Sequence, residues 1–193
     1  MIALLSFLHN AQAQGDIEAG KAKSAVCAAC HNADGNSSSN LYPKIAGQHP
    51  SYMVKQLKEF KSGAREDAIM LGMVATLSEQ DMEDLAAYFA TQTTTPETVS
   101  PEVAEAAKKF YMGGDMSRGI PGCTACHGPR GNGLALAKFP KISGQHPAYL
   151  KSQLEKFRDN ARHNDPNGMM VDVSGKLTDH DIELLSQYIS ALH

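Results

Sequence analysis

The sequence has no tryptophan, and aromatic residues make up only 6% of its 193 positions. Halves of under about a hundred residues are marginal on so few bulky side chains, so each needs something more at its centre. Beyond the first residues there is no long apolar run, and no stretch approaches the ~20 residues that cross a bilayer. Charge of one sign is missing too. The net charge is −3, which excludes the concentrated basic face of a nucleic-acid binder. No stretch alternates in the manner of a strand. Finally, no cysteine stands outside two short strings, Cys27-Ala28-Ala29-Cys30-His31 and Cys123-Thr124-Ala125-Cys126-His127.

The one apolar run, Ile2 to Leu8, is followed by Ala11-Gln12-Ala13, a small-x-small cleavage pattern. Residues 1–13 therefore read as the end of a secretory leader, with the mature chain starting near Gln14. No Lys or Arg precedes the run, where a leader carries positive charge. The mature chain is expected in the periplasm, soluble or held at a membrane only through a partner.

What is present is present twice. Pro43-Lys44-Ile45-Ala46-Gly47-Gln48-His49-Pro50 returns as Pro140-Lys141-Ile142-Ser143-Gly144-Gln145-His146-Pro147. The cysteine strings and Leu77-Ser78-Glu79-Gln80-Asp81, which returns as Leu177-Thr178-Asp179-His180-Asp181, keep the same order around it. Such self-similarity marks an internal duplication. The polar, proline-interrupted stretch from Thr91 to Pro101 is the seam, which divides the mature chain into residues 14–95 and 96–193. Ser100 and Pro101 then read as the N-cap and first residue of a new helix.

Within each half the periodicity is helical. Met53, Leu57 and Phe60 share a face, as do Leu150, Leu154 and Phe157, and Gly63 is placed to stop the first of these helices. Ser78 and Thr178 cap the last helices, whose buried stripes are Met82, Leu85, Ala86, Phe89 and Ile182, Leu185, Ile189. The fold class is all-α: two small tandem domains.

Cys-x-x-Cys-His is the attachment signature of c-type haem. On one helical turn, Cys at i and i+3 reach two vinyl groups of a porphyrin edge, and the next His points its ring at the iron. Zinc would need the four thiolates together, yet the pairs lie in separate repeats. A disulfide inside Cys-x-x-Cys staples almost nothing, and a thioredoxin-like motif needs a βαβ setting. Two covalent haem c groups are expected, on Cys27 and Cys30 with His31, and on Cys123 and Cys126 with His127. Methionine is the usual second axial ligand in electron-transfer cytochromes. Met70 and Met170 each lie seven residues before the repeated leucine, Leu77 or Leu177, whereas Met73 and Met169 align with Val173 and Ile69. Met70 and Met170 are thus the candidate iron ligands, with Met73 and Met169 as apolar fillers beside the haem.

On these motifs the chain resembles the cytochrome c4 family of dihaem cytochromes over nearly its whole mature length. The resemblance implies two class I cytochrome c domains face to face about a pseudo-twofold axis, with haem edges close. It implies His31 with Met70 and His127 with Met170 as iron ligands. It also implies that the carbonyls of Pro43 and Pro140 accept the proximal His N–H. The implied function is a single-electron relay, with a quinol-oxidising complex as donor and a terminal oxidase as acceptor. Two alternatives are the dihaem subunit of a flavocytochrome-type dehydrogenase and a dihaem peroxidase. The latter needs an open iron, which two equivalent His/Met sets do not offer.

His49 and His146 recur just before a helix, where a cap or solvated turn is expected, and Gly47 and Gly144 suit a turn with positive φ. His163, His180 and His193 have no matching partners and read as surface. Cut after Pro96, the first half has net charge −3 and the second zero. Negative charge favours the ferric state, so the C-terminal site is expected to have the higher potential.

Overall fold

Helix starts and stops follow the sequence's own signals. In the computed structural model, which describes residues 15–193, the first half comprises α1 (Ile17–Lys23), α2 (Ala28–His31), α3 (Pro50–Ser62), α4 (Ala68–Val74) and α5 (Glu79–Ala90). The second comprises α6 (Pro101–Gly113), α7 (Thr124–His127), α8 (Pro147–Arg158), α9 (Met169–Ser174) and α10 (Asp179–Ala191). Among the described residues β pairing is limited to two isolated bridges, Asp115 with Ile120 and Leu134 with Phe139. The expected leader, residues 1–13, lies outside the described residues.

The final helix of each half opens on a reciprocal cap. Ser78 Oγ accepts the Asp81 N–H at 3.1 Å while the Asp81 carboxylate accepts the Ser78 N–H at 2.8 Å. Thr178 and Asp181 repeat this at 3.2 and 2.8 Å. Such a cap contributes about 1 kcal/mol. Gly63 ends α3 at φ 80°, where a side chain would be strained. Ser100 caps α6 with Pro101 at its first position.

Each half buries its own core. Leu85, Ala86 and Phe89 of α5 meet Met53 of α3 and the flank of Leu57, and Met82 of the same helix is buried. In the second half Ile182, Leu185 and Ile189 of α10 meet Tyr111, Ile120, Leu150 and Leu177. α1 approaches α5 closely enough that a Cβ on Gly20 would lie 2.0 Å from the Asp84 carbonyl oxygen, so only glycine fits there. The cores differ in one respect. Where the first half has Val74 and Ala86, the second has Ser174 and Ser186, both fully buried, with hydroxyls bonded to nothing among the described residues.

The repeated octapeptide clamps the halves together. Gln145 Nε2 donates to the Lys44 carbonyl at 2.7 Å and Gln145 Oε1 accepts the Lys44 N–H at 2.8 Å. Gln48 does the same to Lys141, at 2.9 and 3.0 Å. Each glutamine oxygen also takes the N–H of the following histidine at 3.0 Å. The histidines then reach across: His49 Nε2 donates to the Asn132 carbonyl at 2.7 Å, and His146 Nε2 to the Ser37 carbonyl at 2.8 Å. His49 and His146 do occupy N-cap positions, but neither side chain caps its helix, and His146 is buried. The expectation of a cap or solvated turn is therefore corrected: the two rings are pins between the halves. Gly47 and Gly144, at φ 65° and 70°, make the turns that present them.

Candidate cofactor sites and the cleft between the halves

Both cysteine strings fold as single helical turns. Cys27 and Cys123 stand at the N-caps of α2 and α7, and His31 and His127 are the last helical residues. Asn32 and Gly128, at φ 59° and 74°, end the turns at once and release the chain. The four cysteines are free. Burial pushes the Cys27 thiol up, and the Cys123 thiol up to about 11. A reactive redox cysteine needs the opposite shift, toward thiolate.

His31 and His127 are both buried. The Nδ1–H of His31 donates to the Pro43 carbonyl at 2.8 Å, and that of His127 to the Pro140 carbonyl at 3.0 Å. A carbonyl only accepts, which fixes the proton on Nδ1 and leaves Nε2 as a lone-pair donor. Neither Nε2 has a hydrogen-bond partner among the described residues. Desolvation pulls both rings below the ordinary histidine value, partly offset by the proline carbonyls, so they stay neutral and able to ligate.

One cavity of about 860 Å³ runs across both halves, lined by both strings, Pro43, Pro140, Met70 and Met170. Met73 and Met169 line it as well. Met73 is 40% exposed and belongs to neither packed core cluster. The backbone treats Met70 and Met170 alike. Asp67 caps α4 by accepting the Met70 N–H at 2.9 Å, and the Asp165 carboxylate accepts the Met170 N–H at 2.6 Å and the Val171 N–H at 3.2 Å. The second half has three more residues between its arginine and its methionine, Arg162 to Met170 against Arg65 to Met70. A carboxylate nonetheless holds the equivalent amide in each.

Sequence reasoning missed the polar network that crosses the cleft. Arg65 donates to Gln56 Oε1 at 2.6 Å and, across the boundary, to the Tyr149 hydroxyl at 2.8 Å and Gln153 Oε1 at 3.1 Å. Arg162 mirrors it, donating to Gln153 Oε1 at 2.8 Å, the Tyr52 hydroxyl at 3.0 Å and Gln56 Oε1 at 3.2 Å. Each guanidinium lies 4.5 Å from the ring centre of its own half's phenylalanine, Phe60 or Phe157. Among the described residues no carboxylate pairs with either. Burial alone raises a phenol, yet the two guanidiniums outweigh it and pull Tyr149 below its ordinary value. The signal was in the sequence: Tyr52, Gln56 and Arg65 recur as Tyr149, Gln153 and Arg162.

This donor set fits haem c. Paired free thiols, an imidazole lone pair, a thioether and an apolar wall match a porphyrin iron. Two unneutralised guanidiniums suit the carboxylates such a ring carries. No cluster of three or more His, Cys, Asp or Glu able to hold a bare metal ion occurs among the described residues.

The Cytochrome c family profile matches residues 17–93 and again 104–193. The cytochrome c4 of Thiocapsa roseopersicina is 48% identical over 180 residues, covering 92% of this chain and 93% of that protein. The crystal structure of reduced recombinant cytochrome c4 from Pseudomonas stutzeri superposes with a TM-score of 0.90 at 46% identity, covering 93% of this chain and all of the other. A thiosulfate dehydrogenase electron acceptor from Stutzerimonas stutzeri is 36% identical, covering 86% of this chain and 78% of that protein.

Proposed function

Since the chain belongs to the cytochrome c4 family, electron carriers with two covalently attached haem c groups, we propose that it relays single electrons in the periplasm from a quinol-oxidising respiratory complex to a terminal oxidase. The observation that carries this reading is the shared cleft: two equivalent donor sets open into one cavity bridged by reciprocal hydrogen bonds. Bound haem supplies one-electron iron chemistry at each site.

The chain's own residues divide the remaining work. Cys27 with Cys30, and Cys123 with Cys126, hold the groups covalently. His31 and His127 present Nε2 to the iron, with orientation and tautomer set by the Pro43 and Pro140 carbonyls. Met70 and Met170 would hold each iron as its thioether ligand, from helices whose first turns are tied down by Asp67 and Asp165. With His and Met both engaged, neither site would leave an iron open to peroxide, in keeping with carriers rather than enzymes. Residues 14–95 and 96–193 form the two functional units. Among the described residues no helix is long and apolar enough to cross a membrane.

Reconstitution tests the relay. Adding the protein to a purified quinol-oxidising complex and a cytochrome c-accepting oxidase should increase oxygen uptake in proportion to carrier concentration. A fully reduced carrier with unchanged uptake would refute the proposed partners. A second reading, delivery of electrons by a periplasmic dehydrogenase, is favoured by the likeness to the thiosulfate dehydrogenase electron acceptor. Reduction of the carrier by that enzyme in place of the quinol-oxidising complex would establish it.

A further inference from the structure

The two lysines of the repeated block meet opposite fates. Lys44 Nζ is buried and donates to Glu97 Oε1 at 2.7 Å and to the Thr95 carbonyl at 2.7 Å. Its counterpart Lys141 Nζ donates to Thr94 Oγ1 at 2.7 Å, and no carboxylate pairs with it among the described residues. The linker causes the difference. One passage of chain runs beside both lysines and brings a single carboxylate, fixed in place by the Glu97 N–H on the Ser190 carbonyl at 2.9 Å. The same carboxylate lies 3.3 Å from the His146 ring.

These charges sit where they act on the sites. Each lysine directly follows the proline whose carbonyl orients the proximal histidine, and both line the common cavity. Exposed charges are screened within about 8 Å at physiological salt, whereas partly buried ones keep their reach. The charge count cut after Pro96 assigns Glu97 to the second half, but its carboxylate neutralises a cation of the first. Counted where it acts, Glu97 takes the two halves from −3 and zero to −4 and +1.

We infer that the Lys44–Glu97 pair and the unpaired Lys141 are tuning residues that set the two haem potentials apart, so that the electron of the singly reduced protein settles on the C-terminal site. This rests on the dihaem reading above. The redistribution moves one electron between two irons and leaves every bond and proton in place. A cation beside the C-terminal site favours its reduced form, and the anion beside Lys44 cancels the same effect in the first half.

Spectroelectrochemical titration of the loaded full-length protein reads both potentials, and paramagnetically shifted haem-methyl resonances assign each to its half. E97Q should raise the N-terminal potential, moving the electron's distribution threefold to tenfold toward that half, where tenfold is 59 mV. K141Q should lower the C-terminal potential by a similar factor, and the two changes together should close most of the gap. K44Q, which strands Glu97, should widen it. The charge-preserving K141R should restore the wild-type value, which a merely structural role for the side chain would not. Potentials unmoved by E97Q and K141Q in a protein that carries both haems would overturn this inference alone. A protein without two haems would instead overturn the reading beneath it.

Discussion

Replacing Gln145 by alanine should loosen the docking of the two halves about thirtyfold. The side chain makes three hydrogen bonds at once: to the Lys44 carbonyl at 2.7 Å, from the Lys44 N–H at 2.8 Å and from the His146 N–H at 3.0 Å. Truncation orphans three backbone groups in a half-buried seam. Only the two bonds to Lys44 cross between the halves; at about 1 kcal/mol each they contribute about 2 kcal/mol to docking, the Kd equivalent of one and a half decades. Q48A should cost the same through Lys141. The double variant should lose roughly the sum, because the two clamps share no partner. Q145E is the sharper control, since a carboxylate accepts the Lys44 N–H but cannot donate to its carbonyl. Small-angle scattering should show the double variant expanded, and calorimetry should resolve its single melting transition into two. A double variant with wild-type dimensions and one unchanged transition would refute the claim that these glutamines hold the halves together.

Three further outcomes follow from the structure. S186A removes a buried hydroxyl without a partner and restores the alanine of the first repeat; it should stabilise the protein by about 1 kcal/mol, or 2–4 °C in Tm, and a loss of stability would mean the hydroxyl is satisfied. Acid should act between pH 4 and 2. Hydrogen bonds from Ser78 hold Asp81, and those from Ser117 and Arg118 hold Asp115, down to about 2, so their contribution is complete above the unfolded value near 3.8 and is lost as pH falls through the folded one; D115N should flatten part of that decline, and an acid limb identical to wild type would contradict it. D67A should loosen the first turn of α4 and weaken the absorbance of the N-terminal methionine–iron bond while leaving the C-terminal one intact; equal loss at both sites would show that Asp67 does not act locally.

Much of this architecture is legible along the chain because it depends on neighbours in sequence. Helix periodicity, the capping boxes at Ser78 and Thr178 and the stop at Gly63 are properties of windows a dozen residues wide, and the duplication checks each one twice. What escapes is whatever depends on how one half faces the other. His49 and His146 look like turn residues because the sequence places them in a turn; that the turn opposes Asn132 and Ser37 is a tertiary fact. Gln48 and Gln145 recur in the octapeptide, yet a neutral amide carries no signature of its own. Arg65 and Arg162 follow their phenylalanines at the same spacing, but the three added residues before Met170 hide their equivalence from an alignment anchored on the leucines.

The ferric sulfur-to-iron charge-transfer absorbance, measured in the wild-type protein and in four methionine variants, tests the assignment of the two sites most directly. M70A and M170A should each remove half of the band and lower one potential, and together they should abolish it. M73A and M169A should leave it near full strength. A band that survives M70A and disappears with M73A, or the same reversal at Met170 and Met169, would contradict the ligand sets on which this account stands.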